Sequence, residues 1–126
     1  METRYGAFLE SYNKGNVYMD KIVQGFFDKI SYDLNIIING NDPLLTGKFS
    51  PIETIIKEPY RSSYDKMIAV VNVLDDVTIS MTESEYKKNV MNIIYSLLDV
   101  AKTTEDSFLM DKALKIASQI PQILGS

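Results

Sequence analysis

The stretch TESEYKKNVMNIIYSLLDVAKTTED, residues 82 to 106, decides how this chain folds. Thr82-Glu83-Ser84-Glu85 has the spacing of a capping box, in which a hydroxyl and a carboxylate satisfy the free amides of a helix start. After it Tyr86, Val90, Ile93, Ile94, Leu97, Leu98 and Ala101 recur by threes and fours. That is the period of a helix with one apolar face, not of a strand. Met91 and Tyr95 border this face on one side, Asn92 and Ser96 on the other. The arc is wider than one neighbour covers. It is expected to lie between two helices of the same molecule, with Met91 and Tyr95 as the self-association candidates if it also reaches a second copy.

Working outward, Thr103 or Thr104 is expected to cap a last helix with Phe108, Leu109, Ala113, Ile116, Ala117 and Ile120 on its face. Pro121 ends it, leaving 121–126 as a frayed tail. Upstream, Met19, Ile22, Val23, Phe26, Phe27, Ile30, Leu34 and Ile37 form a second long stripe. Asn16 is read as its cap, and Gly40 as its stop through a left-handed turn. A separate short helix from Thr3 to about Gly15 precedes it, with Tyr5, Leu9 and Tyr12 on one side. Residues 39–51 are expected to form the main loop, with Asp42-Pro43 starting at most a turn. Ser50-Pro51-Ile52-Glu53 then opens a short helix to Lys57. Between Tyr60 and Met81 the spacing of Tyr64, Met67, Ile68, Val71 and Leu74 favours a helix. The β-branched runs on either side of Leu74-Asp75-Asp76 leave a short hairpin around 68–81 as the alternative. The predicted fold is all-α, a compact bundle of about five helices in one domain, 1–126.

Composition narrows the chemistry. The 126 residues contain no Cys and no His. Disulfides, thiolate nucleophiles and cysteine-held metals are therefore absent, together with the commonest general base and metal ligand. The net charge of −4 is spread along the chain, which disfavours a nucleic-acid footprint built on clustered cations. No apolar run approaches the ~20 residues of a spanning helix, and the N-terminus lacks a signal-peptide pattern. A cytoplasmic protein is expected, in a host cytoplasm if the Ile-, Lys-, Tyr- and Asn-rich composition reflects a viral or phage genome.

Several motifs reduce to ordinary structure. Leu44-Leu45-Thr46-Gly47-Lys48-Phe49-Ser50 has a Gly-Lys pair but neither the spacing nor the Ser/Thr of a phosphate loop. Asn39 to Asp42 offers too few oxygens for a calcium loop. Asp75-Asp76 and Glu83/Glu85 read as solvated acids near helix ends. No metal, cofactor or catalytic set is indicated, and an enzyme is disfavoured.

Tyrosines carry the functional reading. There are eight, and Tyr combines a large apolar ring with a polar tip suited to interfaces. Lys57 to Lys66 is the one local cluster of aromatic and basic residues, and Tyr60, Arg61, Tyr64 and Lys66 are its candidate partner-binding residues, with Tyr5 and Tyr12 second. The expected function is that of a non-enzymatic adaptor, inhibitor or small regulatory subunit acting on a protein partner. The alternative is a homo-oligomeric assembly subunit of viral or phage type.

Overall fold

The structure, a computed structural model, describes the backbone of residues 2–120 and the side chains of residues 18–120. Its elements are α1 (Glu2–Ile38), α2 (Pro43–Lys57), α3 (Ser63–Ser80), a single 3-10 turn (Glu83–Glu85), α4 (Lys88–Thr104) and α5 (Ser107–Ser118). The five helices pack on one another, and the described residues contain no strand. Met67, Val70, Val71, Leu74 and Val77 point α3 into the core, so 68–81 is helix and the hairpin alternative is excluded. Burying that stripe outweighs the weak β preference of its branched residues.

α1 is continuous through Gly15 and Asn16, which corrects the expectation of two helices meeting there. Extending a formed helix by one residue avoids the cost of a new nucleus, and an interior Gly costs only ~1 kcal/mol. At 37 residues α1 is about 55 Å long. It ends at Asn39-Gly40 as expected, but for a different reason. No described Gly has a positive φ. A Cβ at Gly40 would stand 3.1 Å from the Ile36 carbonyl oxygen and 3.3 Å from that of Ile37. Close approach, not handedness, is what this position requires.

The expected loop over 43–50 is helix. Asp42 is the N-cap of α2, its Oδ1 accepting from the amides of Leu44 and Leu45, and Pro43 takes the first turn. Pro51, read as a helix start, lies inside α2. It forfeits one intrahelical hydrogen bond, a cost of about 3 kcal/mol. Leu45, Phe49 and Ile52 are buried on the same helix, each contributing about 2 kcal/mol, so burial wins.

Two caps also move. The Thr82 box forms, with the Thr82 amide donating to Glu85 Oε1 at 2.9 Å, but it closes only the 3-10 turn. Tyr86 then leaves helical geometry at φ −81°, ψ 66°, and its hydroxyl donates to the Thr78 carbonyl across the end of α3. α4 starts later, at Lys88, with no side-chain cap from Lys87. At its far end Glu105 adopts the left-handed conformation, φ 55°. Asp106, not Thr103 or Thr104, caps α5 by accepting from the Leu109 amide at 3.0 Å. Thr103 and Thr104 turn back onto carbonyls of α4 instead.

α4 lies between α1 and α5, and α1 also touches α2 and α3. Val90, Ile93, Ile94, Leu97 and Ala101 are fully buried. The wide arc of residues 82–106 is therefore divided between two helices of its own molecule. No described helix is long and apolar enough to cross a membrane.

Candidate functional site

The corner between α2 and α3 holds the predicted aromatic and basic cluster, and the fold splits it. Tyr60 is 98% exposed. Arg61 Nε pairs with Glu58 Oε2 at 3.1 Å in solvent, a contact worth under ~1 kcal/mol. Tyr64 and Lys66 face the protein. Lys66 Nζ donates to the Ile56 carbonyl at 2.8 Å, tying α3 to the last turns of α2. Tyr64 donates its hydroxyl to Asp106 Oδ2 at 2.8 Å. Asp106 thus holds α3 with one oxygen while capping α5 with the other. Burial, that hydrogen bond and the Asp106 charge push the Tyr64 hydroxyl up to about 12. Because the folded value is raised, this contribution is complete below pH 10 and is lost as pH rises toward 12. Tyr64→Phe should lower stability by about 1 kcal/mol and remove a tyrosine that ionises near pH 12 from an ultraviolet alkaline titration. A titration curve unchanged by the substitution would contradict the contact.

Tyr5 and Tyr12 fall in α1, but their side chains lie outside the described residues. The self-association pair separates cleanly. Met91 is buried against the core, whereas Tyr95 projects outward and is 53% exposed. Tyr95 is on the outer side of α4, which packs antiparallel to α1. The register of that pair is set by Asp33, whose Oδ1 accepts from Asn89 Nδ2 at 2.7 Å and Asn92 Nδ2 at 3.2 Å. Asp33 is only 7% exposed, so these two amides supply the bonds that water would otherwise make.

Beside that pin runs an open groove of about 180 Å³. Ile22, Phe26 and Val100 line it with apolar atoms, Gly25 and Ser96 line it with small ones, and Lys29 and Asp99 stand on opposite walls. Tyr18, Tyr32 and Ile36 extend the same side of α1 and are exposed. A larger open groove, about 480 Å³, lies where the start of α2 meets the start of α4. Its one carboxylate, Asp42, is already occupied in capping α2.

Two acids expected in solvent are buried, which corrects their reading. Asp75 is 5% exposed, and its Oδ2 takes Lys112 Nζ at 3.2 Å and Lys115 Nζ at 3.0 Å. Burial pushes its carboxyl up, but bonding and charge from Lys115 and Lys112 together outweigh that and hold it below the usual range. Its other oxygen is buried without a partner. Glu85 is held low by the Thr82 amide and by Lys48, whose Nζ lies 3.0 Å from Oε2, against an opposing push from burial. The Gly47-Lys48 pair that superficially suggested a phosphate loop thus supplies a structural ion pair. The described residues contain no group of three or more potential metal-ligating side chains.

Sequence reasoning passed over Asp33, Asp75 and Glu85 as buried groups. For Asp33 the available signal was an acid inside an apolar stripe, matched by Asn89/Asn92, and for Asp75 it was the lysine pair Lys112/Lys115, each pair three apart on one helix face, whereas nothing local set Glu85 apart from its capping box. No family model, curated protein or solved structure matches this chain.

Proposed function

We propose that this chain is a non-enzymatic helical protein that works through protein–protein contact, and that the outer face of α1 and α4 is its contact surface. One observation carries this reading. Tyr18, Tyr32 and Ile36 of α1 and Tyr95 of α4 leave the bundle instead of completing the core, 60%, 72%, 42% and 53% exposed. Isolated exposed apolar side chains are ordinary, but Tyr18, Tyr32 and Ile36 recur at helical spacing along one side of α1, and contiguous exposed apolar surface marks interaction sites. The buried carboxylates give further support, because Asp33, Asp75 and Glu85 are each engaged by Asn, Lys or backbone groups. Tyr60 and Arg61 form a smaller second patch at the α2–α3 corner. The homo-oligomeric assembly reading is favoured over the adaptor reading by Tyr95 alone, the one self-association candidate that points outward.

The test is a pair of surface variants compared in affinity capture from the source cell. Tyr32→Glu/Tyr95→Glu should abolish capture of any specific partner and leave the helical spectrum and unfolding midpoint unchanged. Tyr60→Ala/Arg61→Ala should weaken capture only modestly. Full capture by the first variant would remove the α1–α4 face from the proposal, and its loss in the second alone would transfer the site to the corner.

A further inference from the structure

We infer that α5 is an exchangeable element: two copies of this chain associate by straightening the α4–α5 connection, and α5 of each docks in the place of the other's. The exchange is independent of the outer contact surface. Glu105 and Asp106 alone join α4 to α5, and the two helices pack on each other as an antiparallel hairpin. Glu105 stands at φ 55°, the only non-glycine among the described residues with a positive φ. That conformation crowds Cβ against a carbonyl, and the position after a helix usually goes to Gly or Asn for this reason. Glu is a good helix former, and Lys102 to Ser107 contains neither Gly nor Pro. Straightening relaxes Glu105 into helix and makes α4 and α5 one rod. A short connection under strain is what favours exchange.

Exchange keeps the packing of the monomer. In an antiparallel hairpin, each residue of α4 meets the residue of α5 equally far from the bend. A two-fold axis through the straightened bend sets the same residues opposite each other, now from different copies. Leu109, Ala113 and Ile116, fully buried in the monomer, are buried again. The ties from α3 transfer with them, Asp75 to Lys112 and Lys115 and Thr78 to Gln119. Asp106 gives up the Leu109 amide, which takes the Glu105 carbonyl in the continuous helix instead.

The straightened rod also meets a length of chain that the monomer leaves unaccompanied. Asp33 bonds Asn92, and Ile22 lines one groove with Thr103, so the antiparallel register ends α4 level with about residue 21 of α1. The α2–α3 corner stops near the same level, where Gln24 bonds Ser63 at 2.9 Å. The backbone of α1 from 2 to 20 therefore continues about 28 Å past its neighbours. A straightened α5 runs beside that length. The side of α4 toward α1 carries Asn92 and Ser96, and five helical turns, about 18 residues, further on come Met110 and Leu114. Leu114 is 56% exposed in the monomer and Met110 half-buried. The side of α5 that the rod turns toward α1 is thus apolar and open.

The experiment refolds the full chain from denaturant at micromolar and at about millimolar concentration and reads its mass by light scattering behind a sizing column. Refolding at the higher concentration should give a species of twice 14.3 kDa that persists for hours after dilution, because α5 must undock before it can return. Glu105→Gly should weaken this dimer at least about tenfold, since Gly accepts the left-handed bend and disfavours the straight helix. Leu114→Glu should weaken it about tenfold and leave the monomer's unfolding midpoint unchanged. Asp75→Lys and Lys112→Glu/Lys115→Glu each place like charges in their own α3–α5 contact. Refolded together, the two variants should form a dimer containing both chains, because α5 of the first meets the native Asp75 of the second. A wild-type monomer under every condition overturns the exchange. So does a dimer that dissociates within minutes of dilution, a Glu105→Gly dimer of full strength, or a mixed refolding without a two-chain species. A Leu114→Glu dimer of full strength overturns the pairing of the rod with α1.

Discussion

Leu97→Ala is expected to destabilise the protein by about 3 kcal/mol, lowering its midpoint by roughly 12 °C. Leu97 is fully buried on α4, the helix between α1 and α5, and belongs to the hydrophobic core cluster of the described residues. Truncation removes its transfer energy and leaves a cavity among large, interlocked side chains that collapse only in part. Tyr95→Glu, two residues away, should change the midpoint by less than ~2 °C, because that ring leaves the bundle. Chemical denaturation of the two variants checks the contrast. Equal losses would mean that α4 does not present one face inward and another outward.

Asp75→Ala is the second large effect, about 2–3 kcal/mol. The carboxylate ties α3 to α5 through Lys112 and Lys115, and its removal leaves two cations crowded with nothing between them. The figure falls below that for a fully buried pair because the lysine side chains are 27% and 53% exposed and can turn to water. Lys115→Ala should cost under ~1 kcal/mol, since Lys112 remains. The pH dependence follows from the same contact. Asp75 and Glu85 both have folded-state values lowered from the ordinary 3.8 and 4.5. Their stabilisation is complete above those ordinary values and is lost as pH falls below them, through the depressed folded-state range. Wild type should therefore unfold steeply in acid. Asp75→Ala should have a shallower acid slope, the remainder coming from Glu85, and should show earlier amide exchange in α5. An unchanged slope would show that the Asp75 pairing is not retained in solution.

The candidate contact surface was legible only in part. Tyr95 was identified from its place beside the apolar arc, but Met91, one turn earlier, faces the core. The Lys57–Lys66 cluster looked coherent because its residues are adjacent in sequence. Chain direction at the start of α3 then turned Tyr64 toward Asp106, 42 residues away, and left Tyr60 in solvent. Gly25, Ser96, Lys29 and Asp99 form a groove only because α1 and α4 run side by side, and no local pattern brings 25 next to 96.

By itself the sequence determined the helical class, the long apolar stripes at 19–37 and 90–101, and the chain's lack of cysteine and histidine chemistry. These follow from periodicity and composition, which act over one or two helical turns. Only the tertiary structure decided that helix starts at Pro43, that the Thr82 box closes a mere turn, and that three acids are inside. Lys48–Glu85, the two lysines on Asp75 and the two asparagines on Asp33 join residues 37 to 59 positions apart. Burial makes a carboxylate costly until a partner of opposite charge or a donor arrives, and which partner arrives is set by helix packing.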